Sequence, residues 1–234
     1  MKRGKCTAIV LAAGQGRRMG TKIQKQYLHI QDKPVVYYAL ECFQKSSIID
    51  EIILVTGEKE VAYCEKEIVQ RYHLDKVRQV ICGGKERYDS VYRGLLRCED
   101  CTYVFIHDGA RPFVNDDIIE RTYEAVQECD ACAAAMPSKD TVKIADENRF
   151  VKCTPDRRTV WMIQTPQVFS YLLVRSAYDV LMTRTPENIT DDAMVVEQIE
   201  HHPVKLVEGS YQNIKITTPE DLKIAALYIT EGSR

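Results

Sequence analysis

Short apolar runs alternate with longer amphipathic segments over the first 137 residues of the chain. The runs with the length of a buried strand are TAIVLAA (7–13), EIILVTG (51–57), VRQVICG (77–83), TYVFIHD (102–108) and DACAAAMP (130–137). Apolar residues recur at helical spacing in the segments between them, 34–46, 58–72, 87–98 and 115–129. This alternation predicts an α/β fold, with a Rossmann-like, mainly parallel sheet and helices on both of its faces.

The alternation stops after Pro137. Residues 138–158 contain two short β-type pieces, TVKI and RFVKC, which are joined by the turn-like ADEN and show little helical periodicity. This pattern predicts a β-hairpin arm that protrudes from the core and returns to it at VWMIQTPQVF (160–169).

Regular elements are expected again in the last third of the chain. The pattern indicates helices at 170–184 and 193–200 and strands at VKLVEG (204–209) and NIKIT (213–217). TPEDLKIAALYIT (218–230) predicts a final helix, with Thr218 as its N-cap, Pro219 in its first position and two acids in its first turn.

The size and charge of the chain exclude several classes of protein. A chain of 234 residues can bury one substantial core, so we expect a single domain over residues 1–234 with the arm at about 138–158. The formal net charge of -2 gives no overall attraction to nucleic acid or to an anionic membrane. No apolar run approaches the roughly 18 residues of a membrane span, and the N-terminal segment lacks a signal-peptide cleavage region. We therefore expect a cytoplasmic protein without a nucleic-acid or membrane partner.

The nine cysteines are expected to be reduced thiols, because they are scattered through apolar segments of a chain without a secretory signal. Two pairs have the CxxC spacing of a zinc site, Cys98 with Cys101 and Cys129 with Cys132. The two pairs lie farther apart than in a usual zinc ribbon, and the second pair enters an apolar run. Buried thiols are therefore the expectation, with zinc binding or redox chemistry as the alternative.

The stretch AAGQGRRMGTKIQKQ (12–26) follows the first predicted strand, at the edge where open α/β sheets bind their ligands. Its glycines, Gly14, Gly16 and Gly20, do not have the spacing of a dinucleotide fingerprint, and no Gly-Lys-Ser or Gly-Lys-Thr of a Walker loop follows. What remains is a set of glycine N–H groups and four cations, Arg17, Arg18, Lys22 and Lys25. This combination favours a triphosphate ligand. A solvated basic loop is the alternative.

Two further polar stretches follow predicted strands. In GGKERYDSV (83–91) the glycines allow close backbone approach, and Ser90 is available to hydrogen-bond a base or ribose. In HDGARPF (107–113) Asp108 is placed to hold Mg²⁺ or a ribose hydroxyl, with Arg111 nearby for a phosphate, and His107 is expected to be structural. Ordinary charged turns are the alternative for both stretches.

Several stretches, taken together and in order, resemble the cytidylyltransferases of the non-mevalonate isoprenoid pathway. They are AAGQGRRMG with KQY, GGKERYDSV, HDGARPF, KDTVK, QTPQVF, ITDDAMVVE and VEGSYQNIKITTPEDL. The resemblance extends from about residue 7 to about residue 226. It implies a nucleotidyltransferase fold and the reaction of CTP with 2-C-methyl-D-erythritol 4-phosphate, with Mg²⁺ or another divalent cation, to give 4-diphosphocytidyl-2-C-methyl-D-erythritol and pyrophosphate.

The resemblance also implies roles for individual residues. The implied catalytic residues are Arg18, Lys25, Arg157 and Lys215, of which Arg18, Lys25 and Lys215 would stabilise the α-phosphate of CTP in the transition state. The residues implied to bind CTP are Ala12, Ala13, Gly14, Gly16, Gly84, Ser90 and Asp108. Those implied to bind the acceptor are Asp108, Arg111, Thr141, Arg157, Thr190 and Lys215.

In this family the residues matching Thr141 and Arg157 belong to the arm of the neighbouring subunit, which implies a homodimer with composite active sites. Two positions depart from many relatives. Gln24 replaces a proline, which implies a less rigid opening loop, and Lys85 replaces an acid, which leaves side-chain recognition of cytosine there open.

Two other functions stay open at this point. A ribitol 5-phosphate cytidylyltransferase would share the fold and the nucleotide loop. The choice between the two polyol phosphates depends on a few hydrogen bonds, so the shared features leave the acceptor open. A catalytically silent nucleotide-binding module would also keep the fold, although its expected mark is the loss of a transfer cation, and all four cations are present.

Overall fold

The computed structural model describes residues 3–14, 23–184 and 188–230. Seven strands of this described part form one sheet, in the order β11-β7-β10-β6-β1-β4-β5. Their bounds are β1 (Cys6–Ala12), β4 (Glu51–Thr56), β5 (Val77–Cys82), β6 (Tyr103–Asp108), β7 (Ala131–Pro137), β10 (Trp161–Ser170) and β11 (Lys205–Glu208). A small antiparallel pair, β2 (His29–Ile30) and β3 (Lys33–Pro34), lies outside this sheet.

The sheet is mainly parallel, as expected from the sequence. β1 pairs in parallel with both β4 and β6, β4 with β5, and β11 with β7. β10 runs antiparallel between β6 and β7. The return segment from the arm is therefore the strand that opposes the others in this sheet.

Helices cover both faces of the sheet. Their bounds are α1 (Val35–Lys45), α2 (Val61–Tyr63) continuing as a π-helical segment (Cys64–Gln70), α3 (Arg87–Leu95), α4 (Asp116–Cys129), α5 (Tyr171–Leu181), α6 (Asp192–Ile199) and α7 (Pro219–Thr230). α1, the π-helical segment and α4 pack in one apolar cluster, and α3, α5 and α6 pack in another. Two clusters form because successive side chains of a strand point to opposite faces of the sheet. In β1, for example, the neighbours Ile9 and Val10 are buried in different clusters. The predicted fold class is confirmed.

Side chains define the starts of several helices. The Asn115 side chain accepts the N–H of Ile118 at the start of α4, and Asp191 accepts that of Met194 at the start of α6. In α7 the Asp221 carboxylate accepts the N–H of Thr218, as in a capping box. The predicted start of the final helix at Thr218 and Pro219 is therefore confirmed.

Residues 138–160 form the arm. Its two short strands, β8 (Ile144–Ala145) and β9 (Val151–Cys153), pair in antiparallel orientation. The hairpin continues the pairing of β7 with β10, because the Ser138 N–H donates to the carbonyl of Val160 at 2.9 Å. No residue of the arm is buried within this chain.

Two predictions about local structure were wrong. Residues 213–217 (NIKIT) do not form a strand, because this segment is bonded to loops and not to a strand edge: the Ile216 N–H donates to the carbonyl of Ala110. The single helix expected at 58–72 is divided into 3₁₀, α and π segments. The structure also contains no described helix that is long and apolar enough to cross a membrane.

Candidate active site

A cavity of about 510 Å³ lies at the edge where β1, β5 and β6 end. It is lined by Leu11, Ala13, Gly14, Lys25, Gln26, Gly84, Lys85, Glu86, Arg87, Ser90, Asp108, Ala110 and Lys215. The carboxyl ends of parallel strands meet at this edge, so the loops that follow them converge on one space. The cavity therefore brings together Ala13, Gly14, Lys25, Gly84, Ser90, Asp108 and Lys215, all of which were predicted from the sequence.

The first wall of the cavity is the start of the opening loop. The buried Gln26 amide donates to the carbonyls of Ala12 at 2.6 Å and Gly14 at 2.8 Å, and the Tyr27 hydroxyl donates to that of Ala12 at 3.1 Å. These contacts attach the short turn Lys25–Tyr27 to the end of β1. Lys25 is thereby held at the cavity wall. The predicted residues Gly16 and Arg18 lie outside the described residues, as do Arg17, Gly20 and Lys22.

The second wall is the turn between β5 and α3. The Gly84 N–H donates to the Ser90 hydroxyl at 3.0 Å, and this hydroxyl donates to the carbonyl of Glu86 at 3.2 Å. A Cβ atom on Gly83 would lie 2.7 Å from that of Ala13, which is closer than two side-chain carbons can approach. Only glycine therefore allows this turn to pack against the first wall.

A carboxylate with three cationic neighbours lies at the centre of the site. Asp108 Oδ2 is 2.7 Å from Lys215 Nζ and 3.9 Å from Arg111 Nε, and Oδ1 is 3.5 Å from Arg87 Nε. Burial alone would raise the pKa of Asp108, but the charges of Arg87, Lys215 and Arg111 outweigh this effect and hold the pKa well below its usual range. Asp108 is therefore ionised, and the local excess of positive charge favours an anionic ligand.

Arg87 connects this centre to α6. Its two terminal nitrogens donate to the Asp192 carboxylate at 2.8 and 2.7 Å, a bidentate pair, and Asp192 also accepts the Tyr178 hydroxyl at 2.6 Å. Burial lowers the pKa of Arg87, but Asp192 and Asp108 outweigh this and raise it well above its ordinary value. Sequence analysis missed both Arg87 and Asp192. The signal that was available was an arginine within the GGKERYDSV stretch and an acid at the start of an apolar helix.

His107 has a structural role, as expected. Its Nε2 lies 3.1 Å from the carbonyl of Arg111 and must donate to it, so Nδ1 accepts the Thr165 hydroxyl at 3.0 Å. The Thr165 oxygen in turn accepts the N–H of Asp108 at 3.1 Å. Burial lowers the pKa of His107 to about 4. The neutral ring thus fixes the turn that carries Asp108 and Arg111.

Four of the residues predicted to bind the acceptor are not among the residues that line the cavity. Arg111 is held by the carbonyls of Asn213 and Ile163, at 2.8 and 3.4 Å. Thr190 is exposed and lies just before the N-cap of α6. Thr141 and Arg157 are exposed on the arm, and neither is among the residues that line the cavity.

The oxygen donors of the cavity do not form a metal site on their own. Among the residues of 3–14, 23–184 and 188–230, no three His, Cys, Asp or Glu side chains are grouped so that they could hold a metal ion. Asp108 faces three cations, and Mg²⁺ is commonly bound by one or two carboxylates together with substrate phosphates. The donor set fits a divalent ion that arrives with phosphate groups. Metal binding by Asp108 stays a prediction.

The two CxxC pairs lie against opposite faces of the sheet. Cys98 and Cys101 belong to the cluster under α3, whereas Cys129 and Cys132 belong to the cluster under α4. All nine cysteines are free thiols. The four paired thiols therefore do not converge on one point as zinc ligands must.

Comparison with known proteins identifies close relatives. A family profile described as 2-C-methyl-D-erythritol 4-phosphate cytidylyltransferase matches residues 6–231. A protein of that name from Lachnospira eligens is 49% identical over 224 residues, covering 95% of this chain and 98% of that protein. One from Lachnoclostridium phytofermentans is 48% identical over 227 residues, covering 97% of each chain. The crystal structure of 4-diphosphocytidyl-2C-methyl-D-erythritol synthase from Anaerococcus prevotii is similar, with a TM-score of 0.85, 34% identity and 97% of each chain covered.

Proposed function

Because the chain belongs to the 2-C-methyl-D-erythritol 4-phosphate cytidylyltransferase family, we propose that it transfers the cytidylyl group of CTP to 2-C-methyl-D-erythritol 4-phosphate. The products are 4-diphosphocytidyl-2-C-methyl-D-erythritol and pyrophosphate. The observation that carries this proposal is the convergence of Lys25, Ser90 and Lys215 on one cavity. That cavity combines a cationic centre for phosphates with hydrogen-bonding groups for a nucleoside.

The nucleoside occupies the two glycine-containing walls. The N–H and carbonyl groups of a rigid backbone can read the polar edge of a base, and Ala13, Gly14 and Gly84 line the cavity. Ser90 is held by its hydrogen bonds to Gly84 and Glu86 and faces the same space. CTP selection is thus assigned to fixed groups of β1, β5 and α3.

The transfer is an in-line displacement at phosphorus. An oxygen of the acceptor phosphate forms a bond to the α-phosphorus of CTP while the bond from that phosphorus to the bridging oxygen of the β-phosphate breaks, which releases pyrophosphate. Lys25 and Lys215 stabilise the negative charge on the α-phosphate in the transition state, and Arg18 joins them by family resemblance. Asp108 holds Lys215 at 2.7 Å, which orients its ammonium group.

A divalent cation, Mg²⁺ or a similar ion, would be held by the triphosphate of CTP with Asp108 beside it, and when bound it would neutralise part of the triphosphate charge. The residues of the chain bind and orient the two phosphates, and Asp108 and Glu86 are carboxylates among the residues that line the cavity.

Two subunits contribute to each site in this proposal. Thr141 and Arg157 lie on an arm that has no buried residue within this chain, together with apolar side chains such as Phe150 and Val151, which are 73% and 58% exposed. Exposed apolar groups of this kind are typical of an interface. In a homodimer the arm of one protomer brings Arg157 to the acceptor phosphate in the other, where Asp108, Arg111 and Thr190 complete the acceptor site. A single nucleotidyltransferase domain with this arm, located in the cytoplasm, is part of the same proposal.

A turnover assay tests the reaction. Purified protein is incubated with CTP, Mg²⁺ and either 2-C-methyl-D-erythritol 4-phosphate or ribitol 5-phosphate, and pyrophosphate release is measured. We expect product from the methylerythritol phosphate and little from the ribitol phosphate. The reverse preference would assign the alternative polyol phosphate, and CTP binding without turnover on either acceptor would assign a silent nucleotide-binding module.

A further inference from the structure

Strand β10 carries two buried glutamines on either side of Thr165 and Pro166. Gln164 is 8% exposed and Gln167 is 1% exposed, and neither is among the residues that line the cavity. A buried amide must be paired in both its donor and its acceptor to avoid a desolvation cost. The partners of both amides lie in segments that carry predicted site residues.

Gln167 holds the start of α6. Its Oε1 accepts the N–H groups of Asp192 at 3.0 Å and Ala193 at 2.9 Å, and its Nε2 donates to Asp191 Oδ2 at 2.9 Å. Two backbone N–H groups and one carboxylate at this helix start are therefore hydrogen-bonded to a single side chain. Thr190 directly precedes them in the chain, so the position of Thr190 depends on this contact.

Gln164 holds the segment before Lys215. Its Nε2 donates to the carbonyl of Ser210 at 2.7 Å, and its Oε1 accepts the Ser210 N–H and Asn213 Nδ2, each at 3.3 Å. A Cβ atom on Gly209 would collide with Gln164 Oε1 in its present position, so the glycine leaves room for the amide beside the backbone. Two residues after Asn213 the chain reaches Lys215, which points at Asp108.

We propose that Gln164 and Gln167 are positioning residues for the proposed reaction: Gln167 sets Thr190 for the acceptor phosphate, and Gln164 sets Lys215 for the α-phosphate. This inference rests on the proposed function. It gives a function to the two glutamines of the QTPQ stretch (164–167), which are buried although they do not line the cavity. The two amides act through the segments that they hold, because neither side chain lines the cavity.

Replacement of each glutamine by leucine separates the two roles. Leucine has a similar volume and no polar side-chain atoms, so Q167L and Q164L each remove the side-chain hydrogen bonds of one glutamine. For Q167L we expect KM for the methylerythritol phosphate to rise roughly ten-fold with little change in kcat, the effect of a lost buried hydrogen bond. For Q164L we expect kcat to fall roughly ten-fold with little change in KM for CTP.

A matched control removes a buried polar group elsewhere. Thr122 is fully buried in α4, and its hydroxyl donates to the carbonyl of Ile118, so T122V is expected to lower the melting temperature and to leave both KM values and kcat unchanged. If the leucine variants fail to fold, Q164N and Q167N keep an uncharged amide on a side chain one methylene shorter, which weakens the hydrogen bonds of each position without introducing a charge. The same selective changes are expected in those variants, at roughly three-fold.

The outcomes distinguish this inference from the proposed function. If the wild-type protein turns over and the glutamine variants have unchanged kinetics, the inference alone is overturned. The same holds if kcat and both KM values change in the glutamine variants only as much as they do in an equally destabilised T122V. Absence of wild-type product from the methylerythritol phosphate would overturn the proposed function and this inference with it.

Discussion

The cationic centre and the arm use charge in opposite ways. At the cationic centre the carboxylates of Asp108 and Asp192 are buried, and Lys215 and Arg87 pair with them at 2.7 to 2.8 Å. On the arm, Arg157 and Thr141 are exposed, and the Arg157 guanidinium donates to a carbonyl of the arm itself at 3.2 Å. The first region is organised within one chain. The second carries residues that the family resemblance assigns to a site, but none of them is among the residues that line the described cavity.

This difference is consistent with the proposed division of the active site, in which one protomer assembles the cationic centre and the arm acts in the site of its partner. A buried charge requires fixed partners because its desolvation is costly, so the centre is ordered before any ligand arrives. An exposed arginine has no such requirement and acquires a defined position only against a second surface. Three experiments test the contrast, from the largest expected effect to the smallest.

Removal of the central ammonium should have the largest effect. K215M keeps most of the side-chain length and removes the charge nearest to Asp108. We expect kcat to fall roughly 100- to 1,000-fold, because a preorganised charge at the reacting phosphate is lost. Steady-state turnover with CTP and the methylerythritol phosphate measures this. K223M, on the exposed face of α7, is the matched control, and an equal loss in both variants would contradict the role of Lys215.

Mixing two inactive variants tests whether the arm acts across subunits. R157A and K215M are each expected to be nearly inactive. When they are unfolded and refolded together in equal amounts, half of the dimers are mixed, and one site of each mixed dimer has an intact centre and an intact arm. We expect recovery of about a quarter of wild-type activity for arms that act in the partner's site. Activity that stays at the level of the separate variants would place Arg157 in its own protomer's site.

The buried histidine should give the smallest effect, on stability and not on turnover. The pKa of His107 is lowered to about 4 in the folded protein, from an ordinary value near 6.5. Between these values the unfolded chain binds more protons, so stability falls as the pH falls. We expect a loss of roughly 2 kcal/mol in the free energy of unfolding between about pH 7 and pH 5.

Urea unfolding of H107Q measures the contribution of this histidine. Glutamine can still donate to the Arg111 carbonyl and accept the Thr165 hydroxyl, but it does not titrate, so the loss over this pH range should become much smaller. H29Q, at an exposed position, is the matched control and should keep the wild-type dependence. An unchanged loss in H107Q would refute the assignment to His107.

The layered core was predictable because its signal is local. Strand-length apolar runs and helical periodicity record burial on one or two faces of each element, and the five predicted strands of the first 137 residues form as expected. The same logic placed Asp108 and Ser90 at the ligand edge, since Asp108 ends β6 and the stretch that contains Ser90 begins directly after β5. The same logic predicted a strand wrongly at NIKIT (213–217). Ile216 is fully buried beside α7 while Lys215 faces the cavity, and this alternation resembles that of a strand.

The contacts that organise the site were not predictable from local pattern. Arg87 and Asp192 are separated by 105 positions in the chain, and Gln164 and Ser210 by 46. Each of these side chains is unremarkable in its own stretch, and its role follows only from the group that the fold brings opposite to it. Family resemblance implies which cations take part in the reaction, and these roles stay predictions. The ion pairs show that Asp108 holds Lys215 and that Asp192 holds Arg87.

The continuity of β10 restricts how the chain can change in length. This strand leaves the arm at Trp161, passes Gln164 and Gln167, and ends in the sheet at Ser170. Its register with β7 already shifts between Ile163 and Gln167, and the insertion or deletion of one residue in the regular part from Gln167 to Ser170 would turn the later side chains of the strand to the opposite face. A change in its length would disrupt two catalytic sites together, one in each protomer of the proposed dimer.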